Sequence, residues 1–323
     1  MLILSASDIR RALPMRAAID SQKRAYAALV TGEAHLPVRT PVPVPDQNGV
    51  TLFMPARVGS ELGAKIVSVF PNNVANGLPM IHGVVVMVDT MTGQPTALMD
   101  ATYLTALRTA AGAGAATELL ARPDSRAAAI LGSGTLARTH LLAMCEARPI
   151  ERVHIYSRNS QNVTKLIDEM KSQVGATLVA APTPVAAVKD ADVICAVTTS
   201  KTPVLDGHHL KPGAHVNGLG SFTLDMQEID VETIRRAGRA FVDSIPAIMA
   251  ESGELVATMD AGIIAESDLI EIGNVAAGRH PGRTAADEIT FFKSVGIAVQ
   301  DVSAGGEVLR RAKEMGLGAE IAL

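Results

Sequence analysis

Two sets of residues in this sequence have the types and spacing from which chemistry can be built. The first is Gly132-x-Gly134-x-x-Ala137, entered from the apolar run Ala127-Ala-Ala-Ile-Leu131. A buried strand that runs into such a turn and on into a helix is a cradle for phosphate. Gly132 allows the tight turn, Gly134 lets backbone approach a pyrophosphate, and Ala137 lets helix and strand pack closely, while the helix N-terminus offers unpaired N–H groups and a positive dipole end. Thr135 and Leu136 fall in the first helical turn and belong to the same expected contact. The strand before, the helix after and the strand–helix units downstream make a dinucleotide site the expectation, against an ordinary Gly-rich turn. The next strand ends Ile155-Tyr156-Ser157-Arg158-Asn159, without the acid that an NAD-preferring site places on the ribose 2′-hydroxyl. Arg158 can pair with a 2′-phosphate and stack on adenine, so NADPH is the preferred cofactor on this reading and NADH a possible one. Ser157, Arg158 and Asn159 are its contacts, against the plainer reading of a solvated surface arginine.

The second set is cationic. Lys65 lies in Gly63-Ala-Lys-Ile-Val-Ser-Val-Phe-Pro71, where alternation puts Lys65, Val67 and Val69 on one face and Ile66, Ser68 and Phe70 on the other. Both faces are largely apolar, so the lysine is expected in an enclosed setting, where an unpaired ammonium is costly and an anionic partner is required. Arg108 interrupts the Ala/Leu-rich helix Leu104-Thr-Ala-Leu-Arg-Thr-Ala-Ala111, and Arg39 sits in Pro37-Val-Arg-Thr-Pro41. Singly, each reads most simply as half of an internal salt bridge. Jointly, an arginine fork and an ammonium make a receptor for a substrate carboxylate. His82, in Met80-Ile-His-Gly83, is a further substrate-pocket candidate, against a hydrogen-bonded structural histidine. His140, His208, His209 and His280 have no ligand spacing, and no metal is expected.

The elements that must position these residues can be read from periodicity. Residues 1–25 read as helical with Asp8 as N-cap, and Pro37, Pro41, Pro43 and Pro45 mark an extended or looped stretch. Strand-like runs follow at Val50–Met54, Ala64–Phe70, Gly83–Asp89 and Pro95–Met99, with Thr90-Met-Thr-Gly93 as a hairpin turn. A helix rich in small residues runs from Tyr103 to Ala121. After Pro123 strands and helices alternate, which predicts an α/β fold. Its core is a Rossmann doubly wound parallel sheet, beside a second α+β domain that carries the cationic, substrate-binding set. The final helical segment, 294–316, packs back on the first half, giving one domain of residues 1–118 with 302–323 and a nucleotide-binding domain of 119–301.

Composition narrows the function class. The 323 residues are 48% apolar and 19% charged, which fits a two-domain globular chain. Aromatics are only 3%, Trp is absent and the formal net charge is -4, so a base-stacking or polyanion-binding role is disfavoured and no nucleic-acid partner is expected. The two cysteines, Cys145 and Cys195, read as reduced thiols. No apolar stretch approaches the roughly 20 residues that span a bilayer. A cytoplasmic protein without a membrane partner is expected.

At these residues the chain resembles the ornithine cyclodeaminase/mu-crystallin family. The resemblance runs over nearly the whole length, through the Lys65 strand, Ala106-Leu-Arg-Thr-Ala-Ala111, Leu131-Gly-Ser-Gly134, Lys211-Pro-Gly-Ala-His-Val-Asn217 and Phe292-Lys-Ser-Val-Gly-Ile-Ala-Val-Gln-Asp301. It implies NAD(P) binding in a Rossmann domain and a homodimer formed through the other domain. By the same resemblance Arg39, Lys65 and Arg108 hold the substrate carboxylate, with Val295 at the substrate. Thr109, Thr198, Val216, Gly218, Leu219 and Ser294 are implied near the nicotinamide. Ser294 is also read as a helix N-cap, and Asp301 as capping or pairing locally.

Two departures bear on the reaction. Cyclodeaminases carry an Asp where this chain has Phe222, two residues beyond Gly220, and Leu52 stands where ornithine-acting members place a Glu. Without both carboxylates the pocket has little means to hold a second ammonium or shuttle its proton. What remains suits a reductase of cyclic ketimine carboxylates, such as Δ1-pyrroline-2-carboxylate to proline, with Lys65 as the catalytic residue that anchors the carboxylate or hydrogen-bonds near the imine. A protonated cyclic imine needs a gripped carboxylate and a hydride, not an enzyme-derived proton. The rival readings are ornithine cyclodeaminase, alanine dehydrogenase, and a non-catalytic NADPH-dependent ligand binder. The partner is a small cyclic imino acid or an amino acid.

Overall fold

The alternating strands and helices after Pro123 form the expected sheet. In the computed structural model, which describes residues 1–322, eight parallel strands lie in the spatial order 177–180, 152–156, 127–131, 193–196, 215–218, 290–293, 240–242, 269–271. Chain order reverses between Ala127–Leu131 and Val193–Ala196, which is the topological switch point of a doubly wound sheet. Both faces of the inner strands are covered, so Ala127–Leu131 and Val193–Ala196 are apolar throughout, while polar His215 and Asn217 are buried in the strand beside them. Val193–Ala196 and the four residues His215–Gly218 are buried throughout.

The rest of the chain forms a second sheet, mainly antiparallel. Its strands run in the order 319–320, 2–4, 95–100, 81–88, 61–69, 49–58, 34–35, and Thr40–Val44 also pairs with Gly49–Val58. The alternation read around Lys65 is realised. Met54, Ala56, Lys65, Val67, Val85, Met87, Ala97 and Met99 are buried, and helix Ala298–Met315 packs across strands Gly49–Val58, Glu61–Val69 and Ile81–Val88. On the other face the side chains are only half-buried, and Val42 and Phe53 are exposed. The hairpin at 90–93 is as expected. Asp89 accepts hydrogen bonds from the N–H groups of Met91 and Thr92 and from the Thr92 hydroxyl, and Gly93 takes a positive φ of 75°.

The N-terminus differs from the reading of one helix over 1–25. Leu2–Leu4 is a strand, Ser5 is the N-cap of helix Ala6–Ala12, and Asp8 is the third residue of a capping box. Pro14 then separates that helix from Met15–Thr31. A short side chain that precedes the helix can reach its free N–H groups, which a residue already inside the first turn does only reciprocally.

The two compact units are residues 1–108 with 297 onward, and Thr109–Gly296. The sequence-based boundaries, 118/119 and 301/302, are therefore displaced at both ends. The shift transfers Gln300 and Asp301 to the unit that holds Lys65 and Arg108. Among the described residues no helix is long and apolar enough to cross a membrane.

Phe291 is fully buried in the core of the parallel-sheet unit. Phe291→Ala is expected to cost about 3–5 kcal/mol and to lower that unit's calorimetric midpoint by on the order of 10 °C. An unchanged midpoint would contradict the packing described.

Candidate active site

The first unit holds a buried polar cluster. Lys65 projects from strand Glu61–Val69 towards helix Ala298–Met315, where its Nζ lies 2.8 Å from Asp301 Oδ2. Arg108 Nε donates to Asp301 Oδ1 at 2.9 Å, and one of its terminal nitrogens donates to Gln300 Oε1 at 2.9 Å. Gln300 is fixed in turn, because its amide donates to the Tyr26 hydroxyl at 2.7 Å and its Oε1 accepts the Ile297 N–H at 3.0 Å. Exposure is 1% for Lys65, 5% for Arg108 and 0% for Gln300 and Asp301, so the cluster sits in a medium of low polarizability.

Asp301 neither caps a helix nor pairs locally. It is the shared partner of two cations far away in sequence. The signal was present. Ala298, Val302, Val308 and Ala312 form the buried stripe of this helix, and Asp301 falls on the same buried face. A carboxylate there requires cationic partners.

Charge in the cluster is unbalanced, with two ammonium or guanidinium groups on one carboxylate. Arg39 adds a third cation close enough to act on Lys65. Burial, and then the neighbouring Arg108 charge, pull the Lys65 ammonium down to about 8; Asp301 opposes this, and Arg39 adds to it. Arg108 spends only two of its five N–H donors on Asp301 and Gln300. Chemically, one carboxylate fixes the two cations and leaves positive charge over, an arrangement that could receive an anion.

Two residues expected at the substrate are not brought to this cluster. His82 is opposite Ser68 in register, whereas Lys65 is opposite Val85. Residues directly opposite share a face, so His82 lies on the far side of the sheet, and it is exposed. Val295 belongs to the other unit, where its N–H donates to Asp243 Oδ2 at 3.0 Å and its side chain joins the hydrophobic core.

In the second unit, the 132–137 turn fits a dinucleotide. Gly132 has φ 122°, and a Cβ there would meet the Val197 carbonyl oxygen at 2.9 Å. Gly134 is exposed, with nothing within 4 Å of an added Cβ, and it opens helix Thr135–Ala147 without a side-chain cap. Backbone can therefore approach a phosphate closely, with no side chain capping the helix N–H groups. Thr135 is exposed, Leu136 half-buried and Ala137 fully buried, as close helix–strand packing requires. Past the end of strand Arg152–Tyr156, Ser157 is half-buried and Arg158 exposed, while Asn159 caps the next helix by accepting from the N–H groups of Gln161 and Asn162.

The remaining expected contacts are distributed around the strand ends. Thr109 is the first residue of this unit, half-buried on helix Ala101–Leu120. Val216 and Gly218 lie in strand His215–Gly218, and Leu219 directly follows it. The Thr198 N–H and hydroxyl are both taken by Glu228 Oε2. Ser294 is not a helix N-cap. Its hydroxyl donates to Asp243 Oδ2 at 2.7 Å, and the final helix starts after Ile297. Phe222 packs against the core, and Asp225 lies at the surface, paired with Lys201 at 2.6 Å.

Comparison with known proteins agrees with this geometry. The model of the ornithine cyclodeaminase/mu-crystallin family matches residues 1–316. A Delta(1)-pyrroline-2-carboxylate reductase of Bacillus cereus strain ZK / E33L is 34% identical over 329 residues, covering 99% of each chain. Among solved structures, the Thermococcus litoralis Delta(1)-pyrroline-2-carboxylate reductase, in complex with NADH and L-proline, superposes with a TM-score of 0.95. It is 37% identical and covers 99% of this chain and 100% of that one. An archaeal alanine dehydrogenase dimer with bound NAD gives a TM-score of 0.92 at 30% identity, covering 100% and 99%.

Replacing Asp301 with Asn would leave two buried cations without a counter-charge. Asp301→Asn is expected to lose about 3–5 kcal/mol of stability, and formate should raise its melting temperature by more than it raises that of the wild type. No loss on substitution, or equal effects of formate on both proteins, would contradict the shared-carboxylate arrangement.

Proposed function

The chain belongs to the ornithine cyclodeaminase/mu-crystallin family, and we propose that it is an NAD(P)H-dependent reductase of cyclic ketimine carboxylates, with Δ1-pyrroline-2-carboxylate to L-proline as the reference reaction. The observation that carries this reading is the excess of buried cations over carboxylates at Lys65, Arg108 and Asp301, in a chain that also holds a dinucleotide turn. The named activity and ligands of the relatives support it.

The bound nicotinamide nucleotide supplies the hydride. The protein holds the substrate. Lys65 and Arg108, joined by Arg39, take the carboxylate, and Asp301 keeps the first two in position before the substrate arrives, so little reorganisation accompanies binding. The imine enters protonated, and hydride at its α-carbon gives a secondary amine with no further proton needed. That economy matches what is missing: Phe222 and Leu52 offer no carboxylate for ammonia release. Leu52, opposite Val67 in the strand register, is only half-buried.

The adenosine end is assigned to NADPH before NADH. The exposed Arg158 follows a strand end that has no acid, and among the described residues it makes no ion pair. The homodimer is placed on the half-exposed face of the first unit's sheet, around Val42 and Phe53. The alanine dehydrogenase relative, itself a dimer, supports the oligomeric state but not the face.

Purified protein should oxidise NADPH with Δ1-pyrroline-2-carboxylate and be slow with pyruvate plus ammonia or with ornithine; the reverse order would replace this reading with one of those activities. Lys65→Met should lower kcat/KM for the ketimine acid by roughly 100-fold, from about 3 kcal/mol of lost charge pairing, with NADPH affinity nearly unchanged. The functional form of Lys65 is the ammonium, so wild-type kcat/KM should fall as pH rises through about 8, and this alkaline limb should be absent in Lys65→Met. Arg158→Ala should raise the KM for NADPH about tenfold, from loss of one charge-assisted contact, and leave that for NADH unchanged. Equal effects on both cofactors would remove the 2′-phosphate assignment.

A further inference from the structure

Two carboxylates in the second unit, Glu228 and Glu254, are fully buried. Glu228 accepts the N–H of Thr198 at 2.8 Å, the Thr198 hydroxyl at 3.1 Å, the N–H of Gly220, and the N–H of Ser221 at 3.2 Å. Thr198 stands two residues past strand Val193–Ala196, and Gly220 two past strand His215–Gly218. These strands are adjacent and parallel, and Val193–Ala196 borders the switch point. One side chain therefore pins the two loops that leave the carboxyl edge of the sheet where a dinucleotide lies.

The loops meet backbone to backbone, since a Cβ at Gly220 would sit 2.1 Å from the Thr198 carbonyl oxygen. A second group locks Ser221 from below. Its hydroxyl donates to Glu254 at 2.8 Å and accepts from Lys293 at 2.6 Å, and the Lys293 ammonium also pairs with Glu254 at 2.8 Å and donates to the Ser221 carbonyl at 2.7 Å. Lys293 ends the next strand, Thr290–Lys293, so three successive strand ends are tied together.

A trans peptide directs its N–H opposite to the preceding C=O. With the amides of Thr198, Gly220 and Ser221 turned inward to Glu228, the carbonyls of Val197, Leu219 and Gly220 are turned away from it. The Val197 carbonyl points towards Gly132 of the phosphate turn. We propose that Glu228 is a positioning residue for the cofactor: by holding these three amides it fixes the opposite carbonyls as acceptors for the carboxamide NH2 of the nicotinamide. This orients the ring for transfer. The inference rests on the nucleotide reading, not on which acid is reduced.

The test uses substrate-free fluorescence titration of the full-length protein with NADPH and with reduced 3-acetylpyridine adenine dinucleotide phosphate, which replaces the carboxamide NH2 by methyl. The wild type should bind NADPH at least tenfold more tightly. In Glu228→Gln an NH2 must face an N–H donor, so at least one loop is released. That variant should lose most of the preference, and kcat should fall with little change in the KM of the imine. Should Glu228→Gln fail to fold, Ser221→Ala, which breaks the Lys293–Glu254 lock on the same loop, should narrow the preference in the same sense. Equal affinities in the wild type, or an undiminished preference in the folded variants, would overturn the proposal. Because no substrate is present, failure of the ketimine-reductase reading leaves this test standing.

Discussion

A single carboxylate shared by two buried cations is the constraint on which the first unit depends. Removing Asp301 would leave two buried cations without a counter-charge, and removing Lys65 and Arg108 would leave a buried carboxylate without its partners. The sheet places Lys65, the long helix that leaves it places Arg108, and the last helix, packed across three strands, places Asp301 beside both. Gln300, on the same helix as Asp301, and Tyr26, on helix Met15–Thr31, hold the arrangement. Such a cluster is poor value as a stability device, because a well-packed apolar group would serve as well. Its retention makes sense if the surplus positive charge binds something.

The second unit solves a different problem with the same means. Its buried acids, Asp243, Glu228 and Glu254, are satisfied mostly by backbone amides, hydroxyls and Lys293 at the carboxyl ends of the strands. Those hydrogen bonds tie the loops at the strand ends together, as a reaction sensitive to donor–acceptor geometry requires. The first unit leaves charge over for a ligand, whereas the second uses its charges to shape backbone.

Much of this was legible in the sequence, and the boundary of legibility is physical. The parallel sheet and the phosphate turn were readable because both are local: short apolar runs at regular spacing, and glycines whose role follows from lacking a Cβ. Lys65, Arg108 and their enclosed settings were readable from a charge interrupting an apolar pattern. The pairing with Asp301 was not, since Arg108 and Asp301 are 193 residues apart and no local pattern encodes a long-range partner. The separation of His82 from Lys65 was not legible for a related reason. Alternation assigns faces within a strand, but only the cross-strand register shows that His82 and Lys65 point oppositely. Glu228 left no trace, because an acid in an irregular loop looks solvated until its amide partners are seen. Family resemblance carried the reading of the reaction further than the residues alone would.

The account stands on Lys65 being a buried ammonium that an arriving carboxylate completes. Calorimetric titration of pyrrole-2-carboxylate, a planar analogue that cannot be reduced, into the NADPH complex at about pH 8.5, in buffers of different ionisation enthalpy, measures this directly. With Lys65 titrating at about 8 before binding, the anion should draw in a large fraction of a proton, and Lys65→Met should bind weakly with no uptake. Binding without proton uptake, and with the same affinity in both proteins, would contradict it.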